Sequence, residues 1–201
     1  MGFEKTERTD EDLMKSYLAG DLDAFEHLAL RYEKLLVNYA YSFLRRQSVS
    51  EDIVQDVFMK LVENKKNYDA NRPFRPWIYR IARNRIYDEL RKIRRWNIFH
   101  FRTDTEKEAP QQIGEIPDPL CSPRETLNQS ELCASLQKGL GKLDTRSRDL
   151  LVLRYLQGLP VREVSEILGI PEGTVHSGTH RALKSLEKIL NQYGITGEDL
   201  P

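Results

Sequence analysis

Apolar residues recur along this chain at three- and four-residue steps, and almost nowhere in the alternation of a strand. The run DAFEHLALRYEKLLVNYAYSFLRR sets Phe25, Leu28, Tyr32, Leu35, Leu36 and Tyr39 on one wide stripe, which predicts an amphipathic helix. Asp21 or Asp23 is placed to cap its start. In SVSEDIVQDVFMKLVENKKNY, Ser48 and Glu51 have the spacing of a capping box, ahead of a buried face made of Ile53, Val54, Val57, Phe58, Leu61 and Val62. After the loop DANRP a third helix turns Trp77, Ile78, Ile81, Ala82, Ile86 and Leu90 inward.

The pattern breaks at residues 103–125, where Pro110, Pro117, Pro119 and Pro123 forbid a long helix and apolar residues are few. Such a stretch reads as an extended linker. Helical spacing resumes in LDTRSRDLLVLRYLQGL, with Leu150, Leu151, Leu153 and Leu156 buried and Gly158 ending the helix. A short helix from Pro160, with Val164, Ile167 and Leu168 inward, a turn at Gly169 and a last helix in PEGTVHSGTHRALKSLEKIL make a helix-turn-helix. The expected fold is all-α: two small helical domains, 1–102 and 132–201, joined by an extended acidic linker, 103–131.

Composition alone argues against a nucleic-acid partner, because the net charge is zero. Its distribution reverses that. Residues 1–71 carry −4, 72–102 carry +8, 103–132 carry −5 and 133–201 carry +1. Counterion release responds to such a local basic block, not to the total. No apolar run suits a membrane span, so no membrane insertion is expected. The charged N-terminus lacks a signal-peptide core, and Cys121 and Cys133 are too few for a disulfide scaffold or a zinc site, so a cytoplasmic protein is expected. With no nucleophile–base pair, phosphate loop or metal cluster, an enzyme is disfavoured and neither metal nor cofactor is expected.

Two segments carry candidate chemistry. Glu51, Asp52, Gln55, Asp56 and Met59 lie opposite the core stripe of the second helix, with Phe58 at its margin. They form either a solvated surface or a partner-binding face. In NRPFRPWIYRIARNRIYDELRKIRRW, Arg75, Arg80, Arg83, Arg85, Arg91, Lys92, Arg94 and Arg95 interleave with Phe74, Trp77, Tyr79, Tyr87 and Trp96. Cations neutralise phosphates and exposed rings stack on unpaired bases, so this mixture favours single-stranded or melting DNA over a solvated basic face.

Together these runs resemble region 2 and, from LDTRSRDLL to SLEK, region 4 of bacterial sigma factors of the extracytoplasmic-function (ECF) type, over roughly residues 21–95 and 132–190. The resemblance implies a specificity subunit that joins core RNA polymerase, recognises promoter −10 and −35 elements and promotes melting. DIVQDVF matches the segment that grips the clamp helices of the largest catalytic subunit, which implicates Asp52, Gln55, Asp56 and Phe58; region 4 would meet the flap. The loop at 69–74 and the helix after it match the −10 segment. There Asn71, Phe74 and Trp77 are candidates for a flipped-base pocket, with Arg80, Asn84, Asp88, Arg91 and Lys92 beyond. The family's N-x-x-x-D-x-x-R spacing falls on Asn84, Asp88 and Arg91. An anti-sigma factor covering both modules, and holding the chain at the inner membrane face, is a further implied partner.

The last helix departs from the family's usual GTVKSRLHRAR. His176, Gly178 and Thr179 replace two basic residues and an apolar one. Thr174, His176, Ser177, His180, Arg181 and Lys184 remain as outward −35 contacts, Gly178 would let the backbone approach DNA, and Thr179 removes packing from the buried face. Such a helix implies a weaker or differently specified −35 contact. The rival readings are a degenerate sigma-like protein and a helix-turn-helix regulator that binds duplex DNA without polymerase.

Overall fold

The computed structural model describes residues 8–100 and 127–195, without the side chains of 97–100 and 127–133. Among the described residues there are eight α-helices and no strand: α1 (Asp10–Leu18), α2 (Leu22–Leu44), α3 (Gln47–Asn64), α4 (Phe74–His100), α5 (Leu127–Lys142), α6 (Thr145–Leu151), α7 (Val161–Leu168) and α8 (Glu172–Asn191). A single 3-10 turn, Lys65–Asn67, follows α3, and α6 runs on through one wide π-helical turn, Val152–Leu156. Residues 101–126, which hold most of the expected linker, lie outside the description. Helix α5 begins inside the stretch assigned to that linker.

Helix α1 has no counterpart in the sequence reading. Thr9 caps it by accepting from the Asp12 amide at 3.1 Å, and it buries Leu13, Met14 and Tyr17. Its acidic first turn does structural work. Asp10 accepts from Tyr32 and Arg31 of α2, and Glu11 accepts the free Phe74 amide at the start of α4 at 2.9 Å. Because the first amides of a helix have no intrahelical acceptor, Glu11 fixes where α4 begins.

The stripe of α2 packs as expected, and Asp21 is the residue that caps it, 3.2 Å from the Ala24 amide. Leu35 departs from the expectation: it is exposed, as is Val62 on α3. The Ser48–Glu51 capping box does not form. Arg45 takes a left-handed conformation at φ 58°, so α3 starts at Gln47, with Ser48 already in its first turn. Glu51 instead accepts from Gln47 at 2.6 Å, and Ser50 returns its hydroxyl to the Arg46 carbonyl.

In the C-terminal half, Asp144 caps α6 through the Arg146 and Ser147 amides. At the other end Gly158 has φ 65° and the Leu159 amide reaches back to the Leu153 carbonyl, 3.0 Å, closing the turn before α7. Gly169, at φ 66°, makes the turn between α7 and α8. The two halves are in contact. Leu150, Val152, Leu153, Leu159, Val164, Ile167 and Val175 belong to the same apolar core as the residues of α1 to α4, while Leu140, Leu143, Leu151, Leu186 and Leu190 form a second cluster under α5 and α8.

Replacing Asp144→Ala is expected to cost about 1 kcal/mol of stability at neutral pH, read by denaturant melts. Hydrogen bonds from the Ser147 hydroxyl and amide hold the Asp144 carboxyl below the usual carboxylate range. The wild-type advantage is therefore present above the unfolded-state value, near pH 4, and is lost as pH falls through the lower folded value. An equal difference between the two chains at low and neutral pH would contradict this origin.

Candidate nucleic-acid and partner interfaces

Helices α2 and α3 diverge over a groove of about 470 Å³ lined by Leu30, Lys34, Val37, Asn38, Glu51, Val54, Gln55 and Phe58, among others. Its floor is apolar and its rim carries charge of both signs. Below it the side-chain oxygen of Asn38 is buried without a hydrogen-bond partner. Of the expected docking residues, Gln55 and Phe58 line this groove, with Phe58 half-buried and edge-on to Phe25. Asp52 is exposed one turn before Gln55, and Met59, two turns beyond Asp52 on the same helix, stands 61% exposed. Asp56 is half-buried and paired with Arg85 of α4.

That pair begins a chain of charges along α4. Arg85 also lies 3.9 Å from Asp88, and Asp88 accepts from Arg91. Hydrogen bonding from Arg91 holds the Asp88 carboxyl below its ordinary range, with Coulombic help from Arg91 and Arg85. Asn84, Arg91 and Lys92 are exposed, so the expected N-x-x-x-D-x-x-R residues do share one outward stripe. Asp88 serves it by fixing the guanidinium of Arg91.

The loop before α4 is a compact turn. Asp69 accepts from the Asn71 amide at 3.0 Å and from its side chain at 3.2 Å, and the Tyr68 hydroxyl donates to the Arg72 carbonyl at 2.6 Å. Burial, then the charges of Glu11 and Asp69, push the Tyr68 hydroxyl up to about 12, so it donates throughout the physiological range. Asn71 stands exposed at the tip and Trp77 is half-buried below it. Phe74 requires a correction. It is fully buried, packed edge-on against Tyr32 and Tyr68, and has no face to offer a base. Its place is explained by periodicity: Phe74, Ile78, Ala82 and Ile86 are successive four-residue steps, all on the core side.

The basic block of α4 is also not all open to solvent. Arg80 donates to the Glu166 carbonyl at 2.6 Å, Tyr79 pairs with Gln157 at 2.7 Å, and Arg83 donates to Asp149 at 2.7 Å. Tyr39 and Tyr87 donate to the same carboxylate. Asp149 has no place in the sequence reading, which puts Tyr39 on the core stripe and Tyr79 and Tyr87 among the rings at the edge of the basic face; here the three tyrosines turn to the C-terminal half. One signal was available: Asp149 precedes Leu153 and Leu156 at helical steps, which puts a carboxylate on an apolar stripe.

On α8 the outward set is as expected: His176, Ser177, His180, Arg181 and Lys184 are exposed and Thr174 is half-buried. Gly178 is not outward, which is a second correction. It is buried between α8 and α6, and a Cβ there would stand 2.7 Å from Leu150. The glycine lets α8 lie close on α6. Thr179 keeps its place in the core by returning its hydroxyl to the Val175 carbonyl at 2.7 Å. Among the described residues no group of three or more His, Cys, Asp or Glu is arranged to hold a metal ion, and no helix is long and apolar enough to cross a membrane.

An acidic helix beside a basic, aromatic-edged helix, followed by a helix-turn-helix with an exposed polar face, has the make-up of a DNA-binding protein with a separate surface for a protein partner. Comparison with known proteins gives the family. Sigma-70 region 2 matches residues 28–96 and Sigma-70 region 4 matches residues 133–186. The ECF RNA polymerase sigma factor SigW of Bacillus subtilis is 32% identical over 180 residues, covering 88% of this chain and 94% of that protein. RNA polymerase sigma factor CnrH of Cupriavidus metallidurans is 30% identical over 185 residues, covering 92% and 96%. The solved structure of CnrH in complex with the cytosolic domain of CnrY matches with a TM-score of 0.68 at 27% identity, covering 91% of this chain and 97% of that one. The chain belongs to the ECF-type sigma factors of the sigma-70 family.

Two substitutions separate packing from recognition. Phe74→Ala is expected to lose roughly 3–5 kcal/mol in a thermal or denaturant melt, as a core deletion does. Gly178→Arg, which on charge alone would strengthen a DNA contact, is expected to lower the melting temperature because it drives α8 off Leu150. A Gly178→Arg chain that melts like the wild type would show that the α6–α8 approach is not tight.

Proposed function

We propose that this ECF-type sigma factor docks on the clamp helices of the largest catalytic subunit of core RNA polymerase through the α2–α3 groove, with Asp52, Gln55 and Phe58 as the contact residues. Asp56 acts by holding Arg85 and, through it, the α4 stripe. Asn71 and Trp77 form the wall of the −10 pocket, and Asn84, Arg91 and Lys92 follow the opened strand. Arg181 and Lys184, with the exposed His176, Ser177 and His180 and the half-buried Thr174, meet the −35 element, while the flap receives region 4. Flipping a base costs a few kcal/mol of stacking, and a half-buried indole beside an amide-bearing turn offers both stacking and hydrogen bonding in return. The chain contributes specificity and no bond-making chemistry, works in the cytoplasm, and meets an anti-sigma partner over both modules, as its relative CnrH is captured with a domain of CnrY.

The observation that carries this reading is the coincidence, on one short bundle, of an uncovered groove lined by Gln55 and Phe58 with an outward stripe of Asn84, Arg91 and Lys92. Run-off transcription with core polymerase on a promoter library tests it. Specific transcripts are expected; polymerase binding without any transcript favours the degenerate reading, and duplex binding without polymerase association favours the regulator. Lys184→Ala is expected to weaken binding to all −35 duplexes about equally and to reduce the salt slope by about 1, as loss of one phosphate contact does. A change confined to one sequence would assign Lys184 to base reading instead.

A further inference from the structure

His176 and His180 stand four residues apart on α8, and both are exposed. Side chains at that spacing leave a helix on one face, with Cβ atoms about 5–6 Å apart. Neither ring has a hydrogen bond or ion pair among the described residues. Polar groups beside them turn back on the helix instead: Ser177 donates to the Thr174 carbonyl at 3.4 Å, and Arg181 to the Ser177 carbonyl at 3.3 Å. The backbone under the pair is fixed. Val175, Gly178, Thr179 and Ala182 are buried, and the Thr179 hydroxyl closes on the Val175 carbonyl at 2.7 Å. Gly178 would loosen this turn in an isolated helix, but here it is seated against Leu150.

Two imidazoles one turn apart are the pair that helical zinc sites present. Each supplies a nitrogen at about 2.0–2.1 Å from the metal. Imidazole suits zinc, copper and nickel, whereas magnesium and calcium take oxygen ligands. Glu172, one turn before His176, is eight residues from His180, about 12 Å along the axis, and cannot join them on one ion. Helix α8 therefore offers two ligands and leaves the other coordination positions open, facing away from the helix. Charge gives the pair a use. The family's pattern has a basic residue where His176 stands, and residues 133–201 carry only +1. A divalent ion on the pair would add +2 to the outward face, one turn from Lys184. An open position on such an ion takes an oxygen ligand, as catalytic zinc does, and a phosphate oxygen qualifies.

We infer that His176 and His180 form a seat for a divalent, imidazole-preferring cation of the zinc type, and that the ion so held supplies the charge missing from the DNA-facing side of α8. The seat stands on the histidine pair alone; its effect on DNA rests on the −35 reading above. Titration of the metal-free full chain with zinc, against a chromophoric chelator, tests the seat. Zinc binding is expected, weakened about tenfold or more in His176→Ala and in His180→Ala. Both positions are exposed, so the variants are expected to keep the wild-type circular dichroism. Zinc held equally well by both variants would overturn the seat and assign the metal elsewhere, Cys121 and Cys133 being other zinc-ligand types in the chain. Binding of −35 duplexes at low salt tests the consequence. Zinc, and not magnesium, is expected to raise the wild-type affinity about threefold or more and to steepen the salt slope by about 1, as an added phosphate contact does. His176→Lys carries its cation without metal, and its duplex binding is expected not to respond to zinc. A zinc-loaded wild type with unchanged duplex affinity would overturn the role in DNA binding, a failure distinct from that of the promoter reading, which run-off transcription judges.

Discussion

The buried carboxylate of Asp149 is the constraint on which the arrangement of the described chain turns. An ion taken out of water in an apolar setting loses several kcal/mol of hydration, and recovers it only through well-placed donors. Here the donors are Tyr39, Arg83 and Tyr87, none from the module that carries the charge. Burial, reinforced by the Asp149 charge, raises the Tyr39 hydroxyl well above its ordinary value, so it stays protonated and keeps donating. For Arg83, burial alone would favour the neutral form, but Asp149 outweighs it and holds the guanidinium charged. The apolar seam between the halves is non-directional, while the carboxylate supplies position: a slide that preserved the seam would strand the charge.

Position propagates from there. Asp144 caps the start of α6, which fixes the phase in which Asp149 leaves the helix five residues later. Glu11 likewise fixes the start of α4 and so the phase of Tyr79, Arg83 and Tyr87. Helix α4 then divides its circumference three ways. Phe74, Ile78, Ala82 and Ile86 face the N-terminal core, Tyr79, Arg80 and Arg83 face the C-terminal module, and Asn84, Arg91 and Lys92 face outward. A single basic helix thereby serves as core wall, intramolecular contact and exposed polar face, which is why a count of its arginines overstates what is open to solvent.

The long helices were legible because their apolar residues repeat at the helical period over many turns. Helix α1 was not, since nine residues with three buried side chains give too short a pattern to stand out from a charged terminus. The capping box at Ser48 misled because the left-handed Arg45, not a side-chain cap, decides where α3 begins. Phe74 looked like a stacking ring because arginines surround it, yet its four-residue phase with Ile78 and Ala82 already assigned it to the core. The family's pattern has an outward basic residue at Gly178, whereas the three-residue spacing from Val175 puts this position on the buried stripe. The module contact was the least legible feature. It depends on partners 66 and 110 residues apart, and no local spacing encodes such a distance.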